Sequence, residues 1–67
     1  VRPNELIRLI RKRHPELEID AGIGKGSHAR LRLGGRTTFL PLHNREIPTG
    51  TLHGILRALG LRLDQLR

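Results

Sequence analysis

Lys25-Gly26-Ser27-His28 puts a cation, a glycine, a hydroxyl and an imidazole side by side. An imidazole takes and gives a proton near neutral pH, so a histidine beside a substrate can serve as general base, general acid or both. His28 follows Gly22-Ile23-Gly24-Lys25-Gly26, a glycine-rich turn whose backbone amides are left to face an anion. The pattern suits proton transfer at an anionic substrate. By spacing alone, His28 is more simply a cross-strand surface residue, so the chemistry has to be argued from what surrounds it.

Other chemistries fail on the same residues. Gly24-Lys25-Gly26-Ser27 is not a phosphate-binding P-loop, which needs Gly-Lys followed directly by Ser or Thr and a further glycine upstream. Ser27 stands where a dinucleotide-binding fingerprint needs its third glycine. Ser27 and His28 make no nucleophile–base pair, because adjacent strand residues point to opposite faces. The four histidines show no His-x-x-x-His spacing and there is no cysteine, so no metal or other cofactor is expected. His14, at a predicted helix end, reads as a partner for the helix dipole. His53 reads as a solvent-facing helical residue within reach of a phosphate. His43 lies in a loop, where it is either satisfied by backbone or flanks the site.

The charge points to the class of partner. Thirteen basic residues oppose six acidic ones in 67 residues, for a net charge of +7. Such a field attracts RNA, DNA or an acidic protein. Arginine supplies eleven of the thirteen cations, and its planar fork binds phosphate and stacks on bases better than lysine does. A GC-rich or thermophilic genome also enriches arginine and accounts for part of the bias. The length allows one domain, spanning 1–67, with a thin core. Without cysteine, aliphatic packing must hold it, and the composition fits a cytoplasmic protein. No signal peptide or membrane span is visible in the sequence, so no membrane partner is expected.

Hydropathy periodicity supplies the elements that position these residues. Pro3 to about Arg13 predicts a helix, with Pro3 in its first turn, Glu5 near its N-terminus and Leu6, Ile7, Leu9 and Ile10 as its apolar stripe. Pro15 stops it. Glu16 to Ala21 alternates as a half-buried strand, with Leu17, Ile19 and Ala21 on one side. Ser27 to Leu33 alternates again. Gly34-Gly35 predicts a two-residue hairpin into a third strand, Arg36 to Leu40, ended by Pro41. That turn sets the register: Leu33 faces Arg36, Leu31 faces Thr38, Arg30 faces Phe39, Ala29 faces Leu40 and His28 faces Pro41. After a loop over Leu42 to Pro48, Thr49 is the expected N-cap of a helix through Leu59, with Leu52, Ile55, Leu56 and Leu59 inward and Gly60 as the stop. Leu61 to Leu66 adds a short final helix, with Leu63 and Leu66 packing back. The expected fold is α+β, helix–three strands–helix, with both long helices on one face of an antiparallel sheet.

The other sheet face then carries His28, Arg30, Arg32, Thr37 and Phe39, with Glu18 and Asp20 at its edge. A solitary phenylalanine is usually a core residue, but the register turns Phe39 outward beside Arg30. There it can stack on a base or anchor a protein partner. Glu18 and Asp20 read as cross-strand partners of the arginines.

Three segments carry a family resemblance: Gly26-Ser27-His28, Pro41-x-His43, and Gly50-Thr51-Leu52-x-x-Ile55-Leu56 running on to Gly60-Leu61. With Glu5-Leu6-Ile7 in the first helix, their order and spacing over roughly Asn4 to Leu61 resemble the HicA toxins of toxin–antitoxin pairs. The resemblance implies a double-stranded-RNA-binding-domain-like α-β-β-β-α fold, an mRNA interferase activity, and a HicB-type antitoxin that covers the active histidine. It implies His28 as the catalytic residue, with Gly26 and Ser27 as its setting. Lys25, Gly26, Ser27, Arg30, Arg32, Phe39 and His43 are then the expected RNA contacts. The chain departs from the family pattern at His14-Pro15, where a Gly–aromatic pair is usual, and at Ala29 and Leu31, where the family is more aromatic.

A non-catalytic RNA-binding module is the alternative from another class. Double-stranded-RNA-binding domains carry a lysine cluster at the start of the last helix, and here that region is Thr49-Gly50-Thr51-Leu52-His53. A mainly protein-binding domain that docks an acidic partner is the third reading.

Overall fold

The computed structural model describes residues 1–20, 28–42 and 45–66. Two glycines organise its sheet. Gly34 at φ 55° and Gly35 at φ 85° occupy the left-handed region that a two-residue primed turn requires. They join β2 (His28–Leu33) to β3 (Arg36–Pro41) in the register expected from the turn, from Leu33 opposite Arg36 to His28 opposite Pro41. The third strand thus runs one residue further than Leu40. Pro41 is accommodated at the end of an edge strand, where no ladder donor is needed from it.

β1 (Glu18–Asp20) pairs antiparallel with the other side of β2, giving the order β1-β2-β3. Glu18, Ile19 and Asp20 face Arg32, Leu31 and Arg30. β1 is shorter than the alternation over Glu16 to Ala21 suggests. The Leu17 N–H is donated back to the His14 carbonyl at 3.1 Å, which keeps the residues after Pro15 in a turn. Leu17 is still buried. Ala21, with the glycine-rich turn, lies outside the described residues.

α1 (Pro3–Arg13) begins at Pro3, whose fixed φ suits a first helical position. The Glu5 carboxylate accepts the Arg2 N–H at 3.0 Å, and Arg11, Lys12 and Arg13 complement the last turn. Leu6 and Ile10 are fully buried, with Ile7 and Leu9 half-buried at the margin. α2 (Thr49–Ala58) starts one residue earlier than expected. Pro48, not Thr49, is the capping residue, and no side chain caps the helix. The Pro48 carbonyl accepts the Leu52 N–H at 2.8 Å, opening the helical ladder without a hydroxyl. Gly60 at φ 76° ends the helix as expected. Beyond it, a single 3-10 turn over Leu63–Gln65 stands where a short helix was expected, and Leu66 folds back into the core.

Leu6, Ile10, Leu31, Leu33, Leu40, Leu52, Ile55, Leu56, Leu59 and Leu66 belong to one buried cluster that joins both helices to one face of the sheet. Each fully buried aliphatic side chain contributes roughly 1.5–3 kcal/mol. Ile47, in the segment read as loop, also joins this cluster, and its N–H is donated to the Val1 carbonyl at 2.9 Å. The architecture is α+β, helix–three antiparallel strands–helix, and the opposite face of the sheet is open.

Candidate active site

Alternation along β2 divides its side chains. Ala29, Leu31 and Leu33 enter the core, while His28 and Arg32 are exposed and Arg30 is partly so. His28 occupies the first position of β2, directly across from Pro41. Its imidazole is exposed at the strand end.

The neighbouring positions form a graded surface. Arg30 faces Phe39 on one side and Asp20 on the other; Arg32 faces Thr37 and Glu18. The Arg30 Nη2 lies 3.7 Å from Asp20 Oδ2, and the Arg32 Nη1 lies 3.7 Å from Glu18 Oε1. These are exposed ion pairs, which hold their partners loosely. Phe39 is 58% exposed, so the protein's single phenylalanine, in a chain without tyrosine or tryptophan, lies largely outside the core. Leu42, just after β3, is a second exposed large apolar side chain. Strand alternation does not reach it, because it lies beyond the last residue of β3.

The structure therefore gathers His28, Arg30, Arg32 and Phe39 on one sheet face. Lys25, Gly26, Ser27 and His43, the other expected site residues, lie outside the described residues. His14 is half-buried at the end of α1, with its Nδ1 3.5 Å from Glu16 Oε2. His53 is exposed on α2 and borders an open groove of about 960 Å³ with Arg57, Leu61, Arg62 and Leu63. Neither is adjacent in the sheet ladder to His28. Among the described residues, no group of three or more His, Cys, Asp or Glu side chains is placed to hold a metal. No helix among them is long and apolar enough to cross a membrane.

The model of a protein family described as the HicA toxin of bacterial toxin–antitoxin systems matches residues 3–61. This chain belongs to the HicA toxin family. Searches of curated proteins and of solved structures return no match. The HicA family match begins at the first residue of α1, runs through all three strands and α2, and ends just after the Gly60 stop. Membership in a toxin–antitoxin family implies an antitoxin partner. In the frame of a HicA chain, the open sheet face is the one surface that combines an exposed imidazole, two arginines and an exposed aromatic ring among the described residues.

Proposed function

We propose that this HicA-family protein is the toxin of a HicA/HicB-type pair and acts as a metal-independent mRNA endoribonuclease, with His28 as its general acid/base. The observation that carries the reading is the placement of His28. It is exposed at the start of β2, on the same open face as Arg30, Arg32 and Phe39. The α-β-β-β-α order supports the likeness to double-stranded-RNA-binding domains.

In the proposed reaction, the neutral His28 imidazole takes the proton of a ribose 2′-hydroxyl. The 2′-oxygen attacks the adjacent phosphorus, and the O2′–P bond forms as the P–O5′ bond breaks. The proton passes through the imidazolium or solvent to the departing 5′-oxygen. The products are a 2′,3′-cyclic phosphate and a 5′-hydroxyl. Arg30 and Arg32, with Lys25, provide cationic donors for the charge that develops on the phosphorane oxygens. Phe39 offers a stacking surface for a base beside the scissile bond. Gly26 and Ser27, which precede His28 in the sequence, and His43 complete the proposed RNA contacts, His43 without a proton-transfer role. A HicB-type antitoxin covering His28 silences the toxin, and both act in the cytoplasm.

The decisive experiment incubates the purified protein with a long single-stranded RNA in EDTA, beside His28→Ala. Fragments ending in cyclic phosphate from the wild type alone are the expected result. Intact RNA in both lanes, with binding retained, would instead assign the chain to non-catalytic RNA binding. DNA of the same sequence stays intact under this mechanism because it lacks the attacking hydroxyl.

A further inference from the structure

Resting on the reading of the open face as an RNA surface, we infer that Glu18 and Asp20 are its affinity-limiting residues: carboxylates that occupy Arg30 and Arg32 until a phosphate displaces them. The geometry is a two-rung ladder. β1 sets Asp20 across from Arg30 and Glu18 across from Arg32, and both carboxylates reach their guanidinium at 3.7 Å. The four side chains, with Ile19, line a cleft of about 210 Å³ along the β1 flank. Each carboxylate is more than half exposed, so neither is committed to the core.

Two physical consequences follow from this placement. A phosphate that approaches either arginine meets a negative charge within a few ångströms and must displace it or share the guanidinium's donors. The field of the face is also asymmetric. The β1 flank presents alternating signs, whereas the β3 flank presents Phe39 and Thr37, with no carboxylate among β3 residues. An RNA strand is thereby directed along β2 and β3, past His28, and kept off β1. The two carboxylates hold affinity below what a surface with two free arginines would reach, which favours release of cleaved product.

The test is fluorescence anisotropy with an uncleavable probe, a 2′-O-methyl oligoribonucleotide of mixed sequence, across a range of salt. Relative to wild type, Glu18→Gln/Asp20→Asn binds about 3- to 10-fold more tightly at low salt. The slope of log K against log salt becomes steeper by up to about 1.4, as two arginines become available to phosphate. Asp64→Asn is the control for a carboxylate removed away from the face, because it frees Arg62 on the 3-10 turn, where Nε and Nη2 donate to the Asp64 carboxylate at 3.2 and 3.0 Å. That variant changes affinity less than twofold, by about the effect of one distant charge. In an Arg30→Gln/Arg32→Gln background, the gain from removing the carboxylates disappears. Unchanged or weaker binding by Glu18→Gln/Asp20→Asn overturns the inference, as does an equal gain from Asp64→Asn. Absence of binding by every variant at every salt concentration overturns the RNA reading of the face and the inference with it.

Discussion

Arg30 stands directly across the β2–β3 ladder from Phe39, and both side chains lie on the sheet face turned away from the helices. A cation beside an exposed ring makes a two-part contact for a nucleotide, with the guanidinium on phosphate and the ring on base. Phe39→Ala is therefore expected to weaken single-stranded RNA binding by about 1–3 kcal/mol, the range for one lost base–aromatic stack. Folding stability should change by less than about 1 kcal/mol, because the ring is largely exposed. Anisotropy and thermal melting on the same samples check both halves. A large drop in melting temperature with unchanged RNA binding would return Phe39 to a packing role.

His28→Ala separates chemistry from binding. The side chain is exposed at a strand start and is outside the hydrophobic cluster, so its removal leaves the melting temperature nearly unchanged. A positioned general base contributes about 10²–10⁴-fold, and the cleavage rate should fall by that factor. Binding of a 2′-O-methyl oligoribonucleotide should stay within a few-fold of wild type. Growth arrest on expression, relieved by the same substitution, is the cellular counterpart. Cleavage that persists at the wild-type rate would remove His28 from the reaction.

The β2–β3 hairpin was legible because one local feature settles every pairing. Once Gly34-Gly35 is taken as a two-residue primed turn, Leu33 must face Arg36, and His28 reaches Pro41 by counting. Alternation then sorts Arg30 and Phe39 from Leu31 and Leu40 without further information. The element ends were less legible, because backbone groups did what side chains were expected to do. The Pro48 carbonyl opens α2 in place of a Thr49 hydroxyl, and the Leu17 N–H closes a turn onto His14 instead of extending β1. Ile47 has no sequence signal of burial, because one isolated apolar residue has no periodicity and its burial depends on tertiary contact with the core. At the site, sequence reasoning placed His28 and its arginines on one face. Their pairing with Glu18 and Asp20 was anticipated from strand alternation, since the carboxylates alternate in phase with the arginines.

Two glycines near each other in sequence should respond to alanine in opposite directions. Gly54 is exposed within α2, and a Cβ added there meets nothing within 4 Å. Gly54→Ala is expected to stabilise the domain by about 0.5–1 kcal/mol through helix propensity and a less flexible unfolded chain. Gly60 has φ +76°, and its added Cβ would lie 3.1 Å from the Arg36 Nε. Gly60→Ala should cost about 1–2 kcal/mol from the left-handed conformation, while the flexible arginine moves aside. Urea denaturation of the two variants supplies the comparison. A loss for Gly54→Ala would remove the helix-propensity argument, and a gain for Gly60→Ala would remove the left-handed stop.

The core prediction rests on how little stability a chain of this size holds. A domain of 67 residues is expected to be stable by about 3–10 kcal/mol in total. Leu31 is fully buried at the centre of the sheet, flanked in the ladder by Ile19 and Thr38. Its truncation removes transfer free energy and leaves a cavity, which together cost about 2–5 kcal/mol. Leu31→Ala should therefore lose a large share of the available stability, and its melting transition should shift far more than that of Leu42→Ala, whose side chain is 37% exposed. The His28 face is built on the same strand, so partial unfolding of Leu31→Ala should reduce RNA cleavage in proportion to the folded fraction. An antitoxin that binds only the folded toxin would restore its melting temperature by mass action. A Leu31→Ala protein as stable as Leu42→Ala would mean that the sheet's inner face is not the core that holds β2, and with it His28, in place.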